Sequence, residues 1–137
     1  MNHSGHNYTY MFIIMIISGL LSTMNVWANS IDDIRFSIND IYMILLMTGW
    51  MFLFMGAINH ELNVFYFGLA LVIVNFICIR TQFLVTQHQY LQGMIPHHSM
   101  AVHMSKKLIE KDNTINTFLQ SIVKSQTGEI KFMKTGI

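Results

Sequence analysis

A short stretch of the chain, residues 94–104, carries the side chains best suited to bind a metal. It contains three histidines and three methionines and no acidic residue: Met94, His97, His98, Met100, His103 and Met104. Imidazole nitrogen and thioether sulfur together suit copper, above all Cu(I), whereas Mg²⁺ and Ca²⁺ sites require clustered oxygen ligands. The residue types therefore predict a copper site.

The spacing of these residues agrees with their chemistry. Residues three and four apart lie on one face of an α-helix. Met94 can therefore approach His97 and His98. Met100 can approach His103 and Met104 in the same way. The alternative is that methionine fills gaps in a core and histidine is hydrogen-bonded inside a helical bundle. Six such residues together favour the metal site.

Two further residues could take part through their positions on predicted helices. His88 and His98 belong to one stripe with a period of about 3.5 residues, and His97 belongs to the neighbouring stripe, so all three are predicted to face inward. On the last predicted helix, Glu129 lies near the apolar side. It could serve as a ligand or as an acceptor that orients a histidine.

The N-terminus is a separate candidate site. Met1-Asn2-His3 could hold Cu(II) in a square plane through a free amine, two deprotonated amides and the His3 imidazole, which is a geometry that Cu(II) favours. This site requires an unblocked amine. The alternative is a short polar terminus that is simply disordered.

The composition of the chain indicates a membrane protein. Of its 137 residues, 53% are hydrophobic and only 11% are charged, which is too apolar for a small soluble domain. Three apolar segments, at about 8–28, 41–58 and 63–80, are long enough to cross a bilayer core of about 30 Å as helices. The predicted fold is all-α, with a three-span region at 1–80 and a helical domain at 81–137.

The segments between the spans predict how the helices are connected. Residues 29–40 interrupt the hydrophobicity with four charged residues and are interpreted as a surface loop, with Asn39 or Asp40 capping the next helix. No glycine or proline occurs between Gly68 and Gly93. The third span is therefore predicted to continue into the C-terminal domain as one long helix.

A second C-terminal helix is predicted from about Thr114 to Thr135, after a polar turn with Asp112 or Asn113 as the helix cap. Its apolar positions follow helical spacing, and its lysines are interpreted as a solvated face. Together with the long helix it makes a two-helix hairpin. Pro96 should bend the first helix of this hairpin beside the candidate ligands.

Small and polar residues within the spans predict helix contacts. Ser18 and Ser22 form a small-xxx-small pair, and Asn75 requires an interhelical hydrogen bond. The second span also carries a methionine every four residues: Met43, Met47, Met51 and Met55. These methionines either pack between helices or form a thioether ladder for Cu(I).

Several functions are excluded by what the chain lacks. The net charge is only +1 and the lysines are confined to the last third, so nucleic-acid binding is not expected. The single cysteine, Cys78, excludes an intrachain disulfide. The Glu-x-x-His motif of di-iron bundles is missing, and so is any recognisable nucleophile with an ordered base and acid. We therefore predict that the protein is not an enzyme.

Two motifs occur in an order that resembles a known family. Met94-Ile95-x-His97-His98-x-x-Ala101-Val102-x-Met104 is followed by Gln126-x-x-Glu129-Ile130-x-x-Met133. Together they resemble the domain of unknown function 305 family over residues 83–134. The resemblance implies a ferritin-like helical bundle, copper or silver binding by His and Met in the bacterial periplasm, and Met133 as a further ligand. The three spans resemble a membrane-anchored branch, and the hairpin resembles half of a four-helix domain.

The predicted function is membrane-anchored binding of copper, preferably Cu(I) and alternatively Ag(I), for sequestration or handling of the metal. The alternative is a structural or accessory membrane subunit whose Met and His residues serve packing and assembly with a partner protein. The resemblance favours a bacterial inner membrane with a periplasmic hairpin. The positive-inside rule, applied to Arg35 and Arg80, would favour a cytoplasmic hairpin, and we follow the resemblance.

The size of the hairpin predicts self-association. Each of its helices carries an apolar face broader than one partner can cover, and a two-helix hairpin has too little core to be stable alone. Two hairpins from two protomers would complete a four-helix bundle around the candidate ligands. We therefore predict a homodimer or a higher homo-oligomer, with Ser18, Ser22 and Gly68 assisting contacts between the spans.

Overall fold

The computed structural model describes residues 7–137, and within them it contains helices and no β-strand. In this range the α-helices are α1 (Tyr8–Leu21), α2 (Ile38–Ile58), α3 (Leu62–Thr81), α4 (Gln87–Ile109) and α5 (Asn116–Lys134). Two short 3₁₀ turns, Met24–Trp27 and Ile31–Asp33, lie between α1 and α2. The predicted all-α fold is confirmed for the described residues.

The helices divide into two compact units. The first, which we call the apolar unit, contains the described part of Met1–Leu21 together with Ile41–Phe83. The second, which we call the hairpin unit, contains Ser22–Asp40 and Leu84–Ile137. The segment between α1 and α2 therefore folds with the C-terminal helices, which the sequence analysis did not anticipate.

Three helical segments are long and apolar enough to cross a membrane. They are Tyr8–Trp27, Ile38–Ile58 and Leu62–Thr81, with 20, 21 and 20 residues. α2 and α3 are therefore each about 30 Å long, which is the thickness of a bilayer core, while the first segment consists of the 14-residue α1 and the 3₁₀ turn that follows it. Large apolar side chains along them, such as Phe54 and Phe76, are exposed. Exposed apolar surface of this extent suits a lipid environment.

Glycines set the contact between α2 and α3 in the apolar unit. A Cβ added at Gly56 would overlap the backbone of Phe65, and one added at Gly68 would overlap the backbone of Leu53. The two helices therefore approach each other backbone to backbone, which only a residue without a Cβ permits. Gly68, which was expected to serve contacts between protomers, packs inside its own chain.

Two other predicted span contacts are wrong. α1 ends before Ser22, so the predicted serine pair does not lie on one helix. The small residue of α1 that meets α2 is Gly19, where an added Cβ would lie 2.7 Å from a side-chain carbon of Ile44. Asn75 is buried, but its amide donates to the carbonyl of Leu71 in its own helix at 2.8 Å, which replaces the predicted interhelical bond.

The prediction of one long helix after the third span is also wrong, because the helix ends at Thr81 and the next begins at Gln87. Gln82 adopts a left-handed conformation with φ of 50°. The N–H groups of Gln82 and the residue after it donate to the carbonyls of Ile79 and Cys78. This pair of bonds is a Schellman motif, which usually has glycine at the left-handed position. A sequence search for glycine and proline therefore missed this helix end.

A side-chain cap starts α4. The Thr86 hydroxyl accepts a hydrogen bond from the N–H of Gln89 at 3.3 Å, which satisfies one of the free N–H groups in the first turn. α4 then continues through Pro96 without interruption. The candidate ligands of this region therefore stand on one helix, with helical relations to one another.

The caps that precede α2 and α5 differ from the predicted ones. Ser37, and not Asn39 or Asp40, occupies the N-cap of α2, and the Asp40 carboxylate accepts from its N–H at 2.8 Å and its hydroxyl at 2.9 Å. An acid three residues after the cap folds back in this way in a capping box. Before α5, Asn113 accepts from the N–H of Ile115 at 3.1 Å, one residue ahead of the helix.

Candidate metal centre

α4 and α5 pack as an antiparallel hairpin around an apolar cluster. Its buried members are Ile95, Val102, Ile130 and Met133, and the half-buried Leu91, Met94 and Val123 pack against them. These residues recur at helical spacing on both helices, so burial of one stripe on each helix holds the hairpin together. Two predicted thioether ligands, one from each helix, therefore meet in the same cluster.

Four residues of the two family-like motifs come together across this hairpin. Met94 and His98 are one turn apart on α4, and Glu129 and Met133 are one turn apart on α5. His98 Nδ1 lies 3.0 Å from Glu129 Oε2, and the two methionines share the apolar cluster. We call Met94, His98, Glu129 and Met133 the quartet. Each helix contributes one thioether and one polar side chain to it.

Glu129 lies beside the His98 imidazole. The His98 side chain is only 12% exposed, and its Nδ1 faces the carboxylate at ion-pair distance, although the angles do not make a directed hydrogen bond. The other oxygen of Glu129 accepts from the Ser125 hydroxyl at 2.7 Å, which fixes the carboxylate. A carboxylate beside one ring nitrogen of a histidine is the usual support for metal binding by the other nitrogen. This geometry makes Nε2 of His98 the candidate ligand atom.

Burial favours the neutral form of this histidine. The pKa of His98 is lowered from its ordinary value chiefly because burial disfavours the imidazolium, and the charge of His97 adds to this. The negative charge of the Glu129 carboxylate acts in the opposite direction and raises the pKa of His98, but it does not reverse the shift. A neutral imidazole is the form that ligates a metal.

Two histidines that were predicted to face inward are exposed. His97 points away from the hairpin core, although its ring centroid lies 5.9 Å from that of His98. His88 lies in the first turn of α4, exposed, with Nε2 3.3 Å from the amide nitrogen of Gln92. The predicted stripes began at Phe83 on an assumed continuous helix. Only the side of α4 that carries Ile95 and Val102 packs on α5. His97 is two residues beyond Ile95, about 200° around the helix, and His88 lies before Leu91, which already meets Gly136 beyond the end of α5.

The remaining predicted ligands lie apart from the quartet. His103 and Met104 line a separate pocket of the hairpin unit, and the half-buried Met100 lies one turn before Met104 on α4. His3 lies outside the described residues. The methionine stripe of α2 belongs to the apolar unit and is exposed or half-buried, as lipid-facing packing residues are.

The donor set of the quartet determines which ion it suits. Among residues 7–137, no three side chains of His, Cys, Asp or Glu are grouped so that they could hold a metal. In the quartet, one imidazole and one carboxylate are instead accompanied by two thioethers. Thioether and imidazole donors suit Cu(I) and Ag(I), while Zn²⁺ and Mg²⁺ need more nitrogen, thiolate or oxygen ligands.

A buried polar network beside the quartet was not predicted from the sequence. Asp33, in the segment between α1 and α2, is only 5% exposed. It accepts a hydrogen bond from the Ser99 hydroxyl at 2.6 Å and pairs with Lys134 Nζ at 2.5 Å. The N–H of Asn29 donates to the same hydroxyl at 2.8 Å. The network joins the segment to both helices of the hairpin.

This network corrects two predictions. Lys134 was assigned to a solvated face, but it pairs with a buried carboxylate, and the segment 29–40 is not simply a surface loop. Residue type alone gave no signal, because Asp33 and Ser99 are 66 residues apart in the chain. Ser99 lies inside the stretch 94–104, directly after His98, but its residue type does not indicate which acid it would meet.

Comparisons with known proteins support the motifs of this region. Residues 82–136, which include α4 and α5, match the family described as "Domain of unknown function (DUF305)". The uncharacterized protein L153 of Acanthamoeba polyphaga mimivirus is 43% identical over 135 residues, which span 91% of this chain and 87% of that protein. No solved structure matches the chain significantly.

Proposed function

The chain belongs to the DUF305 family, as its motifs indicated, and on this premise we propose that it is a membrane-anchored protein that binds Cu(I) or Ag(I). The metal is cargo, which the protein sequesters or hands on. The copper and silver binding that the resemblance implies and the donor chemistry of the quartet both support this function.

One observation carries the proposal: the two motifs, more than 20 residues apart in the chain, meet at the quartet. His98 would ligate through Nε2, Met94 and Met133 would contribute soft sulfur atoms, and Glu129 would hold the imidazole in position. The apolar cluster buries Met133 and part of Met94, while the Glu129 side chain is 47% exposed. A soft monovalent ion loses less hydration energy than a divalent ion on entering such a place.

The three apolar helical segments support the membrane anchor. If each spans the bilayer, the segment between α1 and α2 and the C-terminal helices lie on the same side, which agrees with their folding as one hairpin unit. In the proposal this side is the periplasmic one of a bacterial inner membrane, following the family resemblance.

A second candidate function is a structural or accessory subunit, and one observation favours it. Met94 and Met133 are members of the apolar cluster of the hairpin, so core packing alone would account for both. The two functions predict different behaviour towards metal. A packing role requires only the volume of these side chains, whereas metal binding requires their sulfur.

Replacing His98 by alanine is the direct test. We expect the full chain in mild detergent to bind Ag(I) and Cu(I), and His98→Ala to weaken binding at this site at least about tenfold, since even residues that only support a ligand cost this much when removed. Competition titration against a chelator of known affinity measures the change.

His88→Ala is the matched control, because this histidine stands on the same helix but is exposed, in its first turn. It should bind metal as the unchanged protein does. Equal affinities in the unchanged protein and His98→Ala would show that the quartet is not the metal site.

Self-association is part of the proposal. On α5, Phe118 and Phe132 are 61% and 78% exposed, and small residues follow helical spacing between them: Ser121, Ser125 and Gly128. Such a face is suited to cover a second copy of the hairpin. We expect mass measurement in mild detergent to give a dimer or higher oligomer, and Phe132→Glu to give monomers. A strictly monomeric unchanged protein with a folded hairpin would contradict this.

A further inference from the structure

We propose a second site for Cu(I) or Ag(I) in the hairpin unit, formed by His103 and Met104 of α4 with the indole of Trp27 over the ion. It rests on the proposed function in taking the same cargo, but it uses none of the quartet. Trp27 belongs to the 3₁₀ turn Met24–Trp27, which was not connected with metal in the sequence.

The three side chains line one pocket. His103, Met104 and Trp27 face a cavity of about 460 Å³, with Leu108 and Leu119 among its apolar walls. Met104 and Trp27 are each 52% exposed and His103 is half-buried, so the pocket is open at the surface of the hairpin unit. The pocket therefore brings together an imidazole, a thioether and an aromatic face.

The segment that carries Trp27 is held in place by polar bonds. The Asn25 side chain donates to the carbonyl of Arg35 at 2.6 Å and accepts from its N–H at 3.0 Å. These two bonds close the segment on itself. The turn Met24–Trp27 packs against α4. The turn that carries the indole is thus held against α4 by these bonds and contacts.

The chemistry of the pocket suits a soft monovalent cation. His103 and Met104 offer nitrogen and sulfur, and Met100, one turn earlier on α4, places a second thioether on the same side of the helix. A tryptophan face attracts a cation within about 6 Å of the ring centroid. His103 and Met104 as ligands, with Met100 as a candidate third and the indole beside them, make a weaker and more open site than the quartet.

The charges around the pocket restrict the ion further. Lys107 and Lys111 also line it. Lys107 pairs with Glu110 at 3.0 Å, so its charge is balanced, while Lys111 adds a positive charge that would repel a divalent ion about twice as strongly as a monovalent one. This favours Cu(I) and Ag(I) over Cu(II) and Zn²⁺.

The second site is separate from the quartet. His103 is five residues beyond His98, which on a helix is about 7.5 Å along the axis and about 140° around it. One ion cannot therefore use both histidines. Two sites of different exposure on one helix would let the open site load first and the buried site retain the ion.

Fluorescence of Trp27 tests the site in the full chain. Trp50 is the only other tryptophan, so Trp50→Phe leaves Trp27 as the reporter. Ag(I), which is redox-inert and heavy, is the probe. We expect titration with Ag(I) to cause a saturating loss of Trp27 emission, and binding of a second ion per chain by equilibrium dialysis.

His103→Ala and Met104→Leu in the same background should abolish the loss of emission and leave one bound ion. Met47→Leu in α2 is the control and should change neither measurement. Bound Ag(I) with unchanged Trp27 emission would overturn the second site and leave the quartet standing. If Ag(I) still lowers Trp27 emission, and His98→Ala binds as many ions per chain as the unchanged protein, the quartet would be overturned and the second site would stand. A response to inorganic phosphate but not to Ag(I) would show an anion pocket and overturn the inference.

Discussion

Replacing Met94 and Met133 together by leucine is expected to lower the affinity of the quartet for Cu(I) or Ag(I) by at least about 100-fold, with little loss of stability. Each thioether is one ligand, and loss of each is expected to cost at least about a factor of ten, or 1.4 kcal/mol. Leucine and methionine have similar volumes, so the exchange in a core costs less than about 1.5 kcal/mol.

This double variant separates the two candidate functions. Chelator competition measures metal affinity, and thermal unfolding in detergent measures stability. The double variant Met43→Leu, Met47→Leu, on the exposed face of α2, is the matched control and should keep full affinity. If the core variant binds metal as tightly as the unchanged protein, the methionines only pack, and the accessory-subunit function gains the support that the metal site loses.

Replacing Lys134 by methionine is expected to destabilise the hairpin unit by about 3 kcal/mol, because it leaves the buried Asp33 carboxylate without its cation. The figure is at the lower end for a buried pair because the Lys134 side chain is 31% exposed. The Ser99 hydroxyl continues to donate to Asp33, but a hydrogen bond does not neutralise the charge. Unfolding followed by Trp27 emission in the Trp50→Phe background measures the change.

A double-mutant cycle identifies the cause. Asp33→Asn combined with Lys134→Met should recover most of the lost stability, since it removes the buried charge together with its partner. Lys124→Met, on the exposed side of α5, is the control and should be nearly neutral. If Lys134→Met is as stable as this control, the ion pair contributes nothing and the segment Ser22–Asp40 is held by other contacts.

Helix type and approximate extent followed from the sequence because they depend on local pattern. Apolar length predicted the three membrane-compatible segments to within three residues at each end. Helical spacing predicted the helical hairpin, and the burial of Leu119, Ile130 and Met133 bears out part of the predicted apolar face of its last helix, while Ile115 and Phe118 of that face are exposed. Composition also restricted the chemistry to soft ligands, since there is one cysteine and little acid near the histidines.

The end of α3 shows where local pattern fails. A left-handed residue is usually glycine because a Cβ makes that conformation unfavourable. Gln82 adopts it because two backbone hydrogen bonds close the helix end. The inward positions predicted for His88 and His97 were wrong for a different reason, since only the side of α4 that packs on α5 is buried and both histidines lie outside it.

The sequence by itself determined the types of the candidate ligands and their relations along α4, because helix geometry fixes which residues share a face. Only the tertiary structure decided which of them meet ligands from elsewhere. The packing of α5 brings Glu129 to His98 and places Met133 in the same apolar cluster as Met94, and the folding of Ser22–Asp40 with the hairpin places Trp27 in the pocket that His103 lines. These pairings depend on the register of two packed helices and on a buried network across 66 residues, which no local pattern encodes.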